Sequence, residues 1–296
     1  MRVWCLQQDR CIQVLDGHTH IVFDVAINYK NGTLASASAD NTVRVWDIDS
    51  GECVYILKGH RDRVRSVVFH PNQDILFTCS DDKTIKSWDS QGNCIYSLEG
   101  DCTFSCIDLN SNGSLLVSGD EEGKLKIWNT ETWELIHTSN LNNRWISSIL
   151  FSPDMQYVAF ACGEMLGTIN VETHEKMRLD YQPDILNIYS IAYSSNGELL
   201  ASSCGEVVKI WNVRARTLKY EFPGNGKYIT ALTFVNNDQA LVSTCRGGVV
   251  TVWSLITEER LKVLRDRPYE GMNITGVKGL TEAEAATLKA LGAIEN

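Results

Sequence analysis

The sequence has no apolar run approaching the length that spans a bilayer, and no apolar segment at its N-terminus. It has no Gly-x-x-x-x-Gly-Lys-Ser/Thr phosphate loop, no Gly-x-Ser-x-Gly elbow, and no His-x-x-x-His or Cys-x-x-Cys pair. Basic charge is also in short supply: 27 Lys and Arg stand against 37 Asp and Glu, a net charge of -10. A net-acidic surface repels phosphate, so nucleic acid and anionic membranes are disfavoured as partners. What is present is 296 residues, 44% apolar, with charges spread rather than blocked, enough to bury a large core. The ten cysteines include Cys79, Cys204 and Cys245, each alone inside an apolar strand pattern. They imply buried thiols in a reducing cytoplasm rather than a disulfide framework.

The chain repeats itself. From Thr19 to His60 it alternates strand-like runs and turns: IVFDVAIN, YKNG, TLASAS, ADN, TVRVWD, IDSG, ECVYIL. Four short strands in about 42 residues is the size of one propeller blade. The pattern returns over 61–100, 101–140, 144–179, 188–221 and 228–264, giving six complete units. A seventh is represented by its last two strands alone, at residues 2–15. The fold class expected is all-β: a seven-bladed propeller of four-stranded antiparallel blades, six complete and one partial. It occupies 1–265 and is followed by a tail over 266–296.

The pairs Gly17-His18, Gly59-His60, Trp46-Asp47 and Trp88-Asp89, at blade spacing throughout, resemble the WD-repeat β-propeller family over residues 1–265. That resemblance implies a buried polar chain in each blade, from Asp to His to Ser or Thr to the Trp indole, in which every polar group has a partner. Carried over, the first blade supplies His18, Ser36, Asp40 and Trp46, and the second His60, Thr78, Asp82 and Trp88. Later blades depart from this. The third has Asp101 near the His position and Glu122 at the Asp position, with Ser118 and Trp128 kept. The fourth has Ile169 in place of Trp. The fifth and sixth keep Ser202 with Trp211 and Ser243 with Trp253, without the His. These blades lean on apolar packing and form the expected weaker side of the ring.

The ends are irregular. A ring gains stability by closing, so the N-terminal half blade needs two more strands. In the tail, only MNITGV (272–277) has strand character. Thr281 with Glu284 forms a capping box opening a helix over about 281–291, with Leu280 as a staple, Leu288 and Leu291 on one face, and Gly292 as the stop. Either the protein continues upstream of Met1 or the tail patches the half blade. The tail resembles the C-terminal ends of cyanobacterial STAND-class signalling NTPases, whose WD-repeat propellers follow a NACHT or NB-ARC module. The resemblance implies an NTPase module upstream in a parent chain.

In this family the narrow end of the ring is the usual partner surface. Aligned blade by blade, the innermost strands begin there with Ile21, Arg63, Thr103, Trp145, Asn187 and Tyr228, and two residues on with Phe23, Arg65, Ser105, Ser147, Tyr189 and Thr230. Trp, Tyr and Arg anchor interfaces because they join large contact area to a polar handle. Arg63, Arg65, Trp145, Tyr189 and Tyr228 are therefore the candidate partner-binding residues. His20, His70, His137 and His174 are scattered, and Cys102 and Cys106 flank a strand. No catalytic residue, metal or cofactor is expected. The reading that follows is a non-catalytic platform for protein partners, the sensing part of a larger bacterial signalling protein in the cytoplasm. The alternatives are a free-standing scaffold and, further off, a propeller hydrolase, which needs carboxylates or His pointing inward from several blades.

Overall fold

A computed structural model of the chain describes residues 1–179, 187–224, 228–265, 275, 277, 281–290 and 293. The N-terminal hairpin is β1 (Arg2–Cys5) and β2 (Arg10–Val14). Blade one is β3 (Val22–Asn28), β4 (Thr33–Ser38), β5 (Thr42–Asp47) and β6 (Cys53–Lys58). Blade two is β7 (Val64–Phe69), β8 (Leu76–Ser80), β9 (Thr84–Trp88) and β10 (Cys94–Glu99). Blade three is β11 (Phe104–Leu109), β12 (Leu115–Asp120), β13 (Lys124–Asn129) and β14 (Leu135–Asn140). Blade four is β15 (Ile146–Phe151), β16 (Tyr157–Cys162), β17 (Met165–Asn170) and β18 (Lys176–Arg178). Blade five is β19 (Ile188–Tyr193), β20 (Leu199–Cys204), β21 (Val207–Asn212) and β22 (Thr217–Phe222). Blade six is β23 (Ile229–Val235), β24 (Ala240–Cys245), β25 (Val250–Ser254) and β26 (Arg260–Leu264). Each blade is an antiparallel meander in chain order, and among the described residues β1–β2 forms a two-stranded sheet. The fold is an all-β propeller with six complete blades, a partial seventh and one short helix, α1 (Glu282–Ala290).

Each sheet has two apolar faces and can cover neither itself, so burial happens between blades. Seven apolar clusters follow, one at each junction of neighbours. Five lie between successive complete blades. The other two flank the N-terminal hairpin: Trp4 and Leu6 pack on Ala240, Val242, Val250, Val252 and Leu264 of blade six, while Val3 and Leu15 pack on Leu34 and Trp46 of blade one. Neighbouring positions 3 and 4 point to opposite sides of a strand, so two residues serve two neighbours. Residues 2–15 thus wedge the last blade to the first.

The polar chain forms as the resemblance implied in blades one and two. His18 Nδ1 meets Asp40 Oδ2 at 2.8 Å, His18 Nε2 meets Ser36 Oγ at 2.8 Å, and the Trp46 indole donates to Ser36 Oγ at 2.9 Å. In blade two the distances are 2.9 Å for His60 to Asp82, 2.7 Å for His60 to Thr78, and 2.8 Å for Trp88 to Thr78. Burial works against the charge of Asp40, but the Thr42 hydroxyl, His18 and the Thr19 amide hold its carboxyl well below the usual range. Asp82 is held likewise, by His60, Thr84 and the Arg61 amide.

Blade three is rebuilt differently from its expected pattern. Glu122 is exposed and pairs with Lys124 at 2.7 Å, and Asp101 points to solvent. The carboxylate inside is Asp120, which accepts the amides of Glu122 and Lys124 and the Cys102 thiol at 3.1 Å. Burial, with the bond to Asp120, pushes the Cys102 thiol up to about 12. Trp128 keeps its bond to Ser118 at 2.9 Å. Blade four has no polar chain: Ile169 faces Val158 where the Trp would lie, and Phe160 sits two residues on, at the hydroxyl position, with Ile169 and Phe160 buried. Trp211 donates to Ser202 at 3.0 Å and Trp253 to Ser243 at 2.9 Å. All ten cysteines are free thiols, but not all are buried as expected: Cys94 is exposed, and Cys5, Cys11 and Cys53 are half-buried on outer or edge strands.

A second set of contacts girdles the outside. The turn between the third and fourth strands places one residue at positive φ in every blade: Asp9, Gly51, Gly92, Trp133, His174, Arg216 and Glu258. Where contacts are resolved, that residue meets the outer strand of the preceding blade. Trp133 stacks on Tyr96 at 4.4 Å, His174 stacks on His137 at 3.7 Å, and Asp9 binds Lys262 at 2.7 Å. At Gly51 the turn approaches the Gln13 side chain of the N-terminal hairpin, where a Cβ would fall 1.6 Å from Gln13 Nε2 and make that side chain move. On the inner side, side chains of one innermost strand bind the next: Asp24 accepts the Ser66 hydroxyl at 2.7 Å and the Val67 amide at 3.0 Å, and Asp108 accepts the Phe151 amide at 2.7 Å.

The tail helix begins with the expected capping box: Glu284 accepts the Thr281 amide and hydroxyl at 2.8 Å each, and the Glu284 amide donates to Thr281 Oγ1 at 3.2 Å. Leu280, Leu291 and Gly292, like most of MNITGV, lie outside the described residues; Thr275 and Val277 are exposed.

Two predictions follow from these bonds. Thr78→Val leaves the buried His60 and Trp88 groups unpaired and is expected to lower stability by about 2–4 kcal/mol, against about 1 for Ser243→Ala, which strands one indole; urea unfolding of the two variants checks the order. Burial pushes Asp108 up to about 7, with Asp24 nearby adding to it and the Phe151 and Leu109 amides opposing. A folded-state value above the unfolded one favours the neutral form, so this contribution is complete below the unfolded value near 3.8 and is lost as pH rises through about 7. Asp108→Asn, which keeps the acceptor, should therefore flatten the fall in melting temperature between pH 5 and pH 8 (pH values chosen to bracket about 7).

Candidate functional site

Each innermost strand starts with a register slip against its partner. The slips fall at Val22/Asp24, Val64/Ser66, Phe104/Cys106, Ile146/Ser148, Ile188/Ile191 and Ile229/Ala231. A bulge leaves one residue unpaired and re-aims its side chain. The re-aimed residues are Phe23, Arg65, Ser105, Ser147, Tyr189 and Thr230, one per blade, and all of them converge on one cavity of about 500 Å³. Trp145, Tyr228 and Arg246 complete its wall. The ring of innermost strands thus has a narrow mouth built from all six complete blades.

Four of the five residues proposed from sequence meet here: Arg65, Trp145, Tyr189 and Tyr228. The aromatic three remain accessible, at 43% for Trp145, 37% for Tyr189 and 46% for Tyr228, so they do not plug the channel as core residues would. The rings of Tyr189 and Tyr228 stand edge to face at 6.1 Å. Arg65 is braced rather than free. Its Nε and Nη2 each donate to Asp81 at 2.7 Å, and its guanidinium lies 4.5 Å over the Phe23 ring. Arg63 does not line the cavity; it is exposed in the approach to β7, where its amide is held by Asp62. Ser105 and Ser147 face the mouth, but their hydroxyls bind the carbonyls of Ile146 and Ile188 in the next blade.

Arg246 is the wall residue that sequence reasoning missed. It follows β24, at the turn position that in blade two holds Asp81, as the pairing of Cys245 with Ile229 and of Ser80 with Val64 shows. Aligning the second turn of each blade, besides the first strands, is the signal that finds it. Neither a carboxylate nor an imidazole is among the residues lining the mouth. The histidines have other surroundings: His70 Nδ1 accepts the Asn72 and Gln73 amides, and His137 stacks on His174. Among the described residues, no three His, Cys, Asp or Glu side chains are grouped to hold a metal ion, and no helix is long and apolar enough to cross a membrane. Larger open space exists between blades four and five, about 700 Å³ around Tyr157, Tyr193 and Arg214, but it is a groove on the outside of the ring that only two blades shape.

Comparison with known proteins agrees with this architecture. The family model for the WD domain, G-beta repeat, matches residues 9–47, 51–89, 92–129, 183–212 and 216–254. The interval it skips holds blade four, which carries Ile169 and Phe160 in place of the Trp and hydroxyl. The chain is 34% identical over 259 residues to the small ribosomal subunit protein RACK1y of Oryza sativa subsp. japonica, covering 81% of this chain and 76% of that protein. It is 25% identical over 162 residues to periodic tryptophan protein 2 of Saccharomyces cerevisiae and 27% identical over 157 residues to the WD repeat-containing protein SL1-17 of Schistosoma mansoni. The matched region spans 17% and 52% of those two relatives. With the family model covering more than half of its length and the blades built as described, the chain belongs to the WD40 repeat family.

Proposed function

We propose that this chain is a non-catalytic protein-interaction platform whose partner face is the narrow mouth. The observation that carries the reading is the exposure of Trp145, Tyr189 and Tyr228 at positions fixed by bulges and strand starts of a rigid ring. Large aromatic groups held in place lose little entropy on binding and supply most of the energy of an interface. Arg246 adds an exposed cation beside them. A hydrolytic role lacks support at this face, since its lining offers no acid or imidazole to move a proton.

We further propose that the platform is the sensing portion of a larger bacterial signalling protein of the cytoplasm, joined to an NTPase module. Two observations support it. A 31-residue stretch is 71% identical to a WD repeat-containing protein of Nostoc sp., and it makes up 10% of this chain and 2% of that far longer protein. The second is the resemblance of the tail sequence to the ends of STAND-class proteins. The second reading, a free-standing scaffold, is favoured by the 76% of RACK1y that the match covers.

The triple variant Trp145→Ala, Tyr228→Ala, Arg246→Ala is the test of the mouth. Affinity capture followed by mass spectrometry is expected to lose the proteins retained by the wild-type chain, with the melting temperature nearly unchanged. A large fall in melting temperature would make these residues core, and unchanged capture would place the partner face elsewhere.

A further inference from the structure

One junction between blades carries a group that its equivalents lack. Ile27, Phe69, Leu109, Phe151, Tyr193 and Phe234 hold the same place on the six innermost strands, each paired to the second-strand residue that faces the Trp, or Ile169 in blade four. Five of the six are hydrocarbon, so the fold asks for an apolar side chain here. Blade five has a phenol instead. The Tyr193 ring packs on the core shared by blades four and five. Its hydroxyl oxygen is buried and has no hydrogen-bond partner among the described residues. An unpaired buried hydroxyl is a cost that phenylalanine would not carry, and such departures from the packing rules mark functional positions. Burial raises the Tyr193 pKa above the ordinary value, with Asp154 and Tyr157 adding to it, so the group stays an O–H donor.

Tyr193 lines the groove of about 700 Å³ between these two blades. At the other junctions between complete blades the fourth strand brings a ring to the groove. Tyr55, Tyr96, His137 and Tyr220 share one position, the partner of the residue before the Trp. Between blades two and three, Tyr96 stacks on Trp133 and the groove is about 480 Å³. Between blades four and five, Met177 stands in place of that ring and Arg216 in place of Trp133, and both line the groove. The room that aromatic rings take elsewhere is thus left open beside the unpaired hydroxyl. Arg214 and Arg216 are exposed, and their guanidinium groups have no partner among the described residues. Two acids share the lining: Asp154, whose Oδ1 accepts the Ser152 hydroxyl and the Gln156 amide, and Glu198, which is exposed.

We infer that this groove is a binding site for a small organic monocarboxylate with an apolar body. The carboxylate accepts from the Tyr193 hydroxyl and from a guanidinium of Arg214 or Arg216, whose planar fork matches it. The body lies against Met177 and Val213. Two cations beside two carboxylates suit a single negative charge better than a doubly charged phosphate, which the acids would repel. The volume falls in the range of about 300–1,000 Å³ that small ligands occupy, with an apolar lining and a few polar groups to fix orientation. Arg214, Arg216 and Glu198 are long, exposed side chains that can swing aside without disturbing a blade, which opens the way to the hydroxyl. The site shares no lining residue with the mouth and does not rest on the reading of the mouth as a partner face.

The test is an NMR titration of the intact chain, isotope-labelled at its methionine methyls, with phenylacetate, hexanoate and indole-3-acetate and with their primary amides. The Met177 signal is assigned by its loss in Met177→Leu. The expected result is a saturable shift of the Met177 methyl with at least one acid, and binding of the matching amide weaker by about tenfold or more. Tyr193→Phe should bind the same acid about tenfold more weakly, and Arg214→Gln with Arg216→Gln should weaken it as well. Because Phe69, Phe151 and Phe234 show that this position accepts phenylalanine, Tyr193→Phe should melt at or above the temperature of the parent chain. The proposal is overturned if no acid moves the Met177 signal, if acid and amide move it at equal concentrations, or if Tyr193→Phe binds as tightly as the parent. A lower melting temperature for Tyr193→Phe also overturns it, since the hydroxyl would then be bonded in the free chain, as to a resident water.

Discussion

A four-stranded sheet of this size has two apolar faces and no means of covering either. Everything else in the molecule follows from the need for a neighbour on both sides. The cores are therefore not inside blades but between them, and the largest fully buried side chains, Trp46 and Trp88 among them, belong to junctions. Loss of any one neighbour exposes two layers at once, which is why a half blade at residues 1–15 can matter as much as a whole one. It brings Trp4 and Leu6 to blade six and Val3 and Leu15 to blade one, enough to complete the outer half of the ring.

Polar chemistry is layered onto this packing and varies around the ring. The indole-to-hydroxyl bond is kept in five blades, because a buried indole N–H without a partner is costly wherever it occurs. The His and Asp are kept in two, a third has instead a bond between Cys102 and Asp120, and the rest dispense with the pair. Blade four gives up the whole set for Ile169 and Phe160, trading polar specificity for apolar volume. At the mouth the same framework yields function. A bulge at the head of each innermost strand frees one side chain per blade, and the ring brings those six together although they run along the chain from Phe23 to Thr230.

Much of this was legible in the sequence because it repeats. Strand count, blade order, the polar chains of blades one and two and the capping box at Thr281 all rest on local spacing, and local spacing survives folding. Four of the five candidates chosen by aligning first strands line the mouth. Arg246 escaped because it comes from a turn, and Arg63 was included because alignment cannot tell which side of a bulge a residue faces. The swap of Glu122 for Asp120 was invisible for a similar reason: two carboxylates two residues apart look alike until the turn decides which one faces inward. Cys94 was taken as buried because an apolar pattern on an outer strand resembles one on an inner strand, although solvent covers only the former. The wedge role of residues 2–15 depends on contact with blade six, some 250 positions away, and no local pattern reports it.

The central claim is that a blade is held by its neighbours and that residues 1–15 are the neighbour shared by blades one and six. Scanning calorimetry of the chain lacking residues 1–15 tests it most directly. The account predicts a fall in melting temperature of more than about 10 °C, with blades one and six losing protection from amide exchange first, since several large side chains lose their cover. A melting temperature within about a degree of the full chain would contradict it, and would mean that each blade buries enough of itself to stand without the wedge.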